Sequence, residues 1–153
     1  PDNQYPIKTV VVAGNFSPIL RGHIEHIKKA KELGDWLIVI THPDEINKRK
    51  GGYSIPLADR VSVLESLKWV NKVVISIDDD GTVAKTLEKL QPNIFAKGGD
   101  RTPENMPQNE IDICEKYGIQ IWYHVGEVLS SSRKTMDDCL KDREIYLKSH
   151  IPT

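Results

Sequence analysis

Five short apolar runs rich in β-branched residues recur along this chain, and the segments between them carry apolar residues at helical spacing. Few folds accept that order. Thr9 to Ala13 (TVVVA) ends at Gly14 and reads as a buried strand. Trp36 to Thr41 (WLIVIT), Lys72 to Ile77 (KVVISI), Asn93 to Lys97 (NIFAK) and Ile119 to Tyr123 (IQIWY) read as four more. Between the first two strands, Ile24, Ile27, Ala30 and Leu33 recur at helical intervals in Gly22 to Leu33, with Gly34 as the stop. Val61, Leu64, Leu67 and Trp69 do the same in Leu57 to Val70. Thr82 to Leu90 is a helix closed by Pro92, Asn109 to Tyr117 is one closed by Gly118, and Ser131 onward reads as a last helix. Strict alternation of strand and helix predicts an α/β, Rossmann-like fold. Its sheet is five-stranded and parallel, with right-handed crossovers and helices on both faces.

In such a sheet, ligands bind beyond the carboxyl ends of the strands, near the reversal in strand order. The loops that matter are then Gly14 to His23, His42 to Pro56, Gly98 to Gln108 and His124 to Arg133.

Composition narrows the classes. A length of 153 residues fits one domain, 1–153, and no repeat, low-complexity tract or linker divides it. A formal net charge of -1 gives no global basic field for nucleic acid. The longest apolar runs fall far short of a membrane span, and Pro1 to Lys8 has no signal-peptide pattern. Cys114 and Cys139 are the only cysteines and are expected as free thiols. Together these features predict a cytoplasmic protein with no nucleic acid or membrane partner.

Each loop has a functional and a plainer reading. In Gly14-Asn15-Phe16-Ser17-Pro18-Ile19-Leu20-Arg21-Gly22-His23, amides at the helix start can hold an anion, and His23 can donate to a phosphate oxygen. The plainer reading is a turn glycine followed by a solvated histidine. Lys48-Arg49-Lys50-Gly51-Gly52 is either a triphosphate-neutralising loop or a solvated charge run. In Lys97-Gly98-Gly99-Asp100-Arg101, the glycines let a base or ribose approach the backbone. Asp100 can then bind ribose hydroxyls or an exocyclic amine. The alternative there is a β-turn containing Asp. Ser130, Ser131 and Ser132 with Arg133 form an anion site at a helix start, whereas a simple N-cap accounts for one serine only. His23 and His26 are three apart on one helix, but no third ligand stands at a telling spacing, so no metal site is assigned. His42 and His124 each follow a strand; they either line a pocket rim or are ordinary loop histidines. No G-x-x-x-x-G-K-[ST] and no G-x-G-x-x-G after the first strand is present, which argues against P-loop and dinucleotide-binding enzymes.

The first loop resembles the G-x-F-D-P-x-H-x-G-H signature of the HIGH-motif nucleotidyltransferases, through Gly14, Phe16, Pro18, Gly22 and His23. That superfamily includes cytidylyltransferases for glycerol phosphate and ethanolamine phosphate, heptose-phosphate adenylyltransferases and phosphopantetheine adenylyltransferase. Ser17 stands where the family usually has Asp, and Leu20 where it usually has the first His. The K-G-G-D string is similar to that of the heptose-phosphate adenylyltransferases, and the serine loop to the family's I-S-S/T-S/T-x-I/R motif. Arg60 to Val74 resembles a family helix that begins with Arg; Arg60 is either near the active site or dimer contact, or a first-turn surface residue. Glu110 stands where similar proteins often carry Glu.

The resemblance implies transfer of a CMP or AMP group from CTP or ATP, with Mg²⁺, to a phosphorylated sugar, polyol or amino alcohol, releasing pyrophosphate. His23, Lys48 and Arg133 would be the catalytic residues. Gly14, Asn15, Phe16, Gly22, Lys97, Gly98, Asp100, Ser130, Ser131 and Ser132 would bind nucleotide. The choice between CTP and ATP stays open. Leu20 and Ser17 support a second reading, a nucleotide-binding module that has lost catalysis. The resemblance also implies a homodimer; Trp69 is either a contact in it or part of the core.

Overall fold

The computed structural model describes residues 7–51, 54–99, 101–126 and 132–150, with side chains for all of these except 50–51 and 132–139. The elements run in the order β1 (Thr9–Gly14), α1 (Arg21–Lys31), β2 (Trp36–Thr41), α2 (Asp44–Gly51) and α3 (Leu57–Ser66). They continue with β3 (Lys72–Ile75), α4 (Ala84–Leu90), β4 (Ile94–Ala96), a 3₁₀ turn (Pro103–Asn105), α5 (Gln108–Tyr117), β5 (Gln120–Trp122) and α6 (Ser132–His150). All five strands are parallel, in the spatial order β3-β2-β1-β4-β5. The chain leaves β1 on one side for β2 and β3, then returns to β4 on the other. The reversal of strand order therefore lies between β1 and β4.

Strand alternation sends side chains to two separate cores. Val10 and Val12 join Leu37, Val39, Ile94 and Ala96 against Ile27 and Ala30 of α1 and Leu64 of α3. Val11 faces the other way, with Ile38, Ile40 and Phe95, against Leu87 of α4 and Cys114 of α5. Helices thus cover both faces, and the β1–β4 junction opens between the α1 face and the α4–α5 face. Cys114 is a free thiol, and burial together with the Glu110 carboxylate pushes its pKa up to about 11. Cys139 lies among the residues whose side chains are not described. Among the described residues no helix is long and apolar enough to cross a membrane.

Two expectations need correction, and two open alternatives are narrowed. The stretch from Lys48 is not a loop: Asp44 to Gly51 is helical. Asp44 and Glu45 place negative charge on its first turn, just after Pro43, and Ile46 anchors it in the interior. Arg60 is not a surface residue, being only 1% exposed. Trp69 is part-buried and packs against the α1-side core. Helix α3 also ends at Ser66, four residues short of Val70, because Leu67 adopts an extended conformation.

Candidate active site

Arg60 organises the loops at the strand ends. Its Nε donates to the Ile55 carbonyl at 2.7 Å, and its Nη1 to the Thr41 hydroxyl at 2.7 Å and the carbonyls of His42 and Asn15 at 2.8 and 3.3 Å. Its Nη2 pairs with Asp44 Oδ1 at 2.9 Å. This hydrogen bond holds the Asp44 carboxyl below the usual carboxylate range. One planar guanidinium therefore ties the ends of β1 and β2 to the start of α2 and to the segment before α3. Ser17, where relatives of the motif usually carry Asp, accepts a hydrogen bond from the Ile55 N–H at 2.5 Å and closes the same loop from the other side.

Above the β1–β4 junction lies a cavity of about 330 Å³. Gly14, Asn15 and Phe16 line it from the β1 end, His23 and His26 from α1, and Ala96, Lys97 and Gly98 from the β4 end. His42, Gly81, Val83, Arg101, Pro107 and Glu110 complete the wall. Gly14 fits closely here: a Cβ would stand 3.0 Å from the Phe16 ring, which would have to shift. Phe16 itself takes a left-handed φ of 53°, a conformation costly for a bulky side chain and characteristic of functional loops. Its ring meets the His23 imidazole edge-on, with centroids 5.4 Å apart.

The two α1 histidines are held in different protonation patterns. The Leu20 N–H donates to His23 Nδ1 at 2.9 Å, so the neutral ring carries its proton on Nε2. Burial, helped by the neighbouring His26, lowers the His23 pKa and keeps the ring neutral. His26 instead donates its Nδ1–H to the Val125 carbonyl at 2.5 Å. Burial lowers its pKa as well, with the Lys97 cation adding to the effect and the Val125 hydrogen bond opposing it. On the facing wall Lys97 Nζ lies 3.6 Å from Glu110 Oε1 and 4.5 Å from the centre of the Phe95 ring. Glu110 Oε2 accepts from the Val83 N–H at 3.0 Å. Burial lowers the Lys97 pKa against the pull of Glu110. Asn15 Oδ1 is buried without a hydrogen bond among the described residues.

Of the residues singled out in the sequence, Gly14, Asn15, Phe16, His23, Lys97 and Gly98 come together around this cavity. Gly22 sits in the first turn of α1 outside the wall. Lys48 stands on the exposed side of α2, also outside the wall. Arg49 is turned away, donating to the Asp79 carbonyl at 3.0 Å. Ser132 and Arg133 open α6, with side chains outside the described set, and Asp100, Ser130 and Ser131 lie outside the described residues altogether. His42 lines the cavity, whereas His124 is exposed and donates from Nδ1 to the Gly99 carbonyl at 2.7 Å, bracing the glycine pair. Sequence reasoning gave His26 no role beyond a rejected metal pair and gave Glu110 none. The available signals were the i, i+3 spacing from His23 and a buried position on α5.

The arrangement suits an anionic ligand with an aromatic or ring portion. A neutral imidazole N–H stands in the first turn of a helix, two cations sit in the wall, and a glycine at the β4 end admits a close approach.

Comparison with known proteins places the chain among relatives. Residues 11–150 match the family described as cytidylyltransferase-like. The chain is 43% identical over 95 residues to FAD synthase of Pyrococcus abyssi, covering 60% of this chain and 63% of that protein. It is 36% identical over 117 residues to the bifunctional protein HldE of Geotalea uraniireducens, covering 74% of this chain and 23% of that protein. It thus spans less than two thirds of either relative. A crystal structure of a lipopolysaccharide core biosynthesis protein from Thermoplasma volcanium superposes with a TM-score of 0.63 at 25% identity, covering 80% of this chain and 98% of that one.

Proposed function

Because the chain belongs to the cytidylyltransferase-like family, we propose that it is a nucleotidyltransferase. It moves a CMP or AMP group from CTP or ATP to a phosphorylated small molecule and releases pyrophosphate. The observation that carries this reading is His23: a neutral imidazole in the first turn of α1, locked by Leu20 with Nε2–H as its donor, on the wall of the switch-point cavity. In the reaction an oxygen of the acceptor's phosphate attacks the α-phosphorus in line. The new O–P bond forms as the bond from the α-phosphorus to the bridging oxygen breaks, and pyrophosphate leaves with that oxygen. No strong base is needed, since the nucleophile is already an anion. The protein's work is positioning and charge stabilisation.

His23 Nε2–H donates to the α-phosphate oxygen on which charge builds. Gly14, Asn15 and Phe16 shape the floor beneath it. Lys97 and Gly98 line the nucleoside side, with Asp100 assigned there by the motif. Lys48, and Ser130, Ser131, Ser132 and Arg133 at the start of α6, are assigned to the triphosphate by the same resemblance. Among the described residues no group of three or more His, Cys, Asp or Glu side chains is placed to hold a metal ion. Mg²⁺, which the resemblance implies, would neutralise part of the triphosphate's charge. A homodimer rests on the resemblance alone.

The catalytically impaired reading has Leu20 and Ser17 in its favour, which stand where the motif usually carries His and Asp. A pyrophosphate-release screen of four NTPs with Mg²⁺ against phosphorylated sugars, polyols and amino alcohols separates the two. Turnover above background with one NTP and one acceptor class establishes the enzyme. NTP binding without turnover on any acceptor leaves the binding module.

A further inference from the structure

His26 follows His23 by about one turn on α1 and lines the same cavity, but it presents the opposite chemistry. Its Nδ1–H is spent on the Val125 carbonyl, so the neutral ring keeps a lone pair on Nε2. The ring is firmly placed. The turn after β5 packs directly on α1 at this point, and a Cβ on Gly126 would stand 2.8 Å from the His26 Cα. Burial and the Lys97 cation both favour the neutral ring. The cavity wall thus offers an imidazole N–H at His23 and an imidazole lone pair at His26.

A triphosphate carries acceptors only, so a lone pair has nothing to offer it. The donors on an NTP belong to the nucleoside: the ribose hydroxyls and the exocyclic amine of an amino base. We propose that His26 Nε2 accepts a hydrogen bond from one of these nucleoside donors and makes His26 a specificity-determining residue for the nucleotide. The proposal rests on the nucleotidyltransferase reading and adds to it a residue that selects among nucleotides while His23 serves the phosphate.

Calorimetry on the full chain with Mg²⁺ tests it. The ligands are ATP and CTP, their counterparts lacking only the exocyclic amine (purine riboside and 2-pyrimidinone riboside triphosphates), and the 2′-deoxy and 3′-deoxy nucleotides. Each is titrated into the unsubstituted chain and into H26N and H26F. Asn can still donate to the Val125 carbonyl but does not reach as far as Nε2, and Phe keeps the ring volume. The expected result is that removing one nucleoside donor weakens binding to the unsubstituted chain about tenfold. In H26N that discrimination falls below twofold, while the parent NTP itself binds about tenfold more weakly. The analogue that loses affinity identifies the donor as amine or hydroxyl. Analogues all binding within twofold of the parent, or full discrimination surviving in both variants, would overturn the inference alone. Failure of every parent NTP to bind would overturn it together with the reading on which it rests.

Discussion

The backbone N–H of Leu20 donates to Nδ1 of His23 at 2.9 Å, so one of the two residues that depart from the motif also fixes the imidazole proposed to serve the phosphate. The contact is a main-chain one and does not depend on the Leu side chain. What the substitution removes is a side-chain donor, not the orientation of His23.

His23→Ala is expected to lower turnover by about two to three orders of magnitude, the usual scale for one charge-stabilising donor. Steady-state pyrophosphate release measures it. A change below fivefold in a folded variant would take His23 out of the chemistry.

Leu20→His should raise kcat/KM by about tenfold. The resemblance assigns this side chain to the phosphates, and one charge-assisted hydrogen bond to them corresponds to roughly that factor. The Leu20 N–H to His23 contact is untouched by the change. An unchanged or lower kcat/KM would mean that the cavity is built around Leu20.

Stability should fall as pH drops below the unfolded histidine value of 6.5. Both His23 and His26 have lowered pKa values in the fold, so the unfolded chain binds more protons in the interval from 6.5 down to those lowered values. The fold's preference for neutral rings is fully expressed above pH 6.5 and is lost progressively below it. Each histidine contributes at most about 1.4 kcal/mol per pH unit. Asp44, Asp80 and Glu104 are held below the usual carboxylate range by hydrogen bonds, so their loss comes at lower pH still. Urea midpoints between pH 5 and 8 read the slope, and His26→Asn should flatten it. An equal slope in that variant would remove His26 from the titration.

Lys97 and Glu110 are buried together, and breaking such a pair from one side leaves an uncompensated charge. Lys97→Met is expected to cost about 3 kcal/mol, and combining it with Glu110→Leu should recover part of that loss. Recovery stays incomplete because the Val83 N–H then loses its acceptor. Denaturant unfolding of both variants checks this, and a double variant less stable than Lys97→Met would contradict it.

The alternation of β-branched runs with helical spacing carried most of the fold: every one of the strands pairs at the place its sequence run marks. Helix α2 was not legible because, among its residues with described side chains, only Ile46 and Asn47 are buried and no apolar stripe repeats; the acidic pair after Pro43 was its one signal. The glycine and histidine positions of the first loop could be read because their motif is local. The role of Arg60 could not be settled, since four of its five acceptors are backbone carbonyls or a hydroxyl, three of them 18 to 45 residues away. The same holds for His26, whose partner Val125 is 99 residues away.

The Arg60 guanidinium has a consequence for how the molecule breathes. Since it joins Asn15, Thr41, His42, Asp44 and Ile55, none of these segments can swing out without disturbing hydrogen bonds held by the others. Amide protons around the strand ends should therefore exchange with solvent as one cooperative unit, not loop by loop, with a shared opening free energy. The floor of the cavity would then be either wholly formed or wholly open. A ligand that engages the β1 loop alone would slow exchange at Ile55, a residue it never touches.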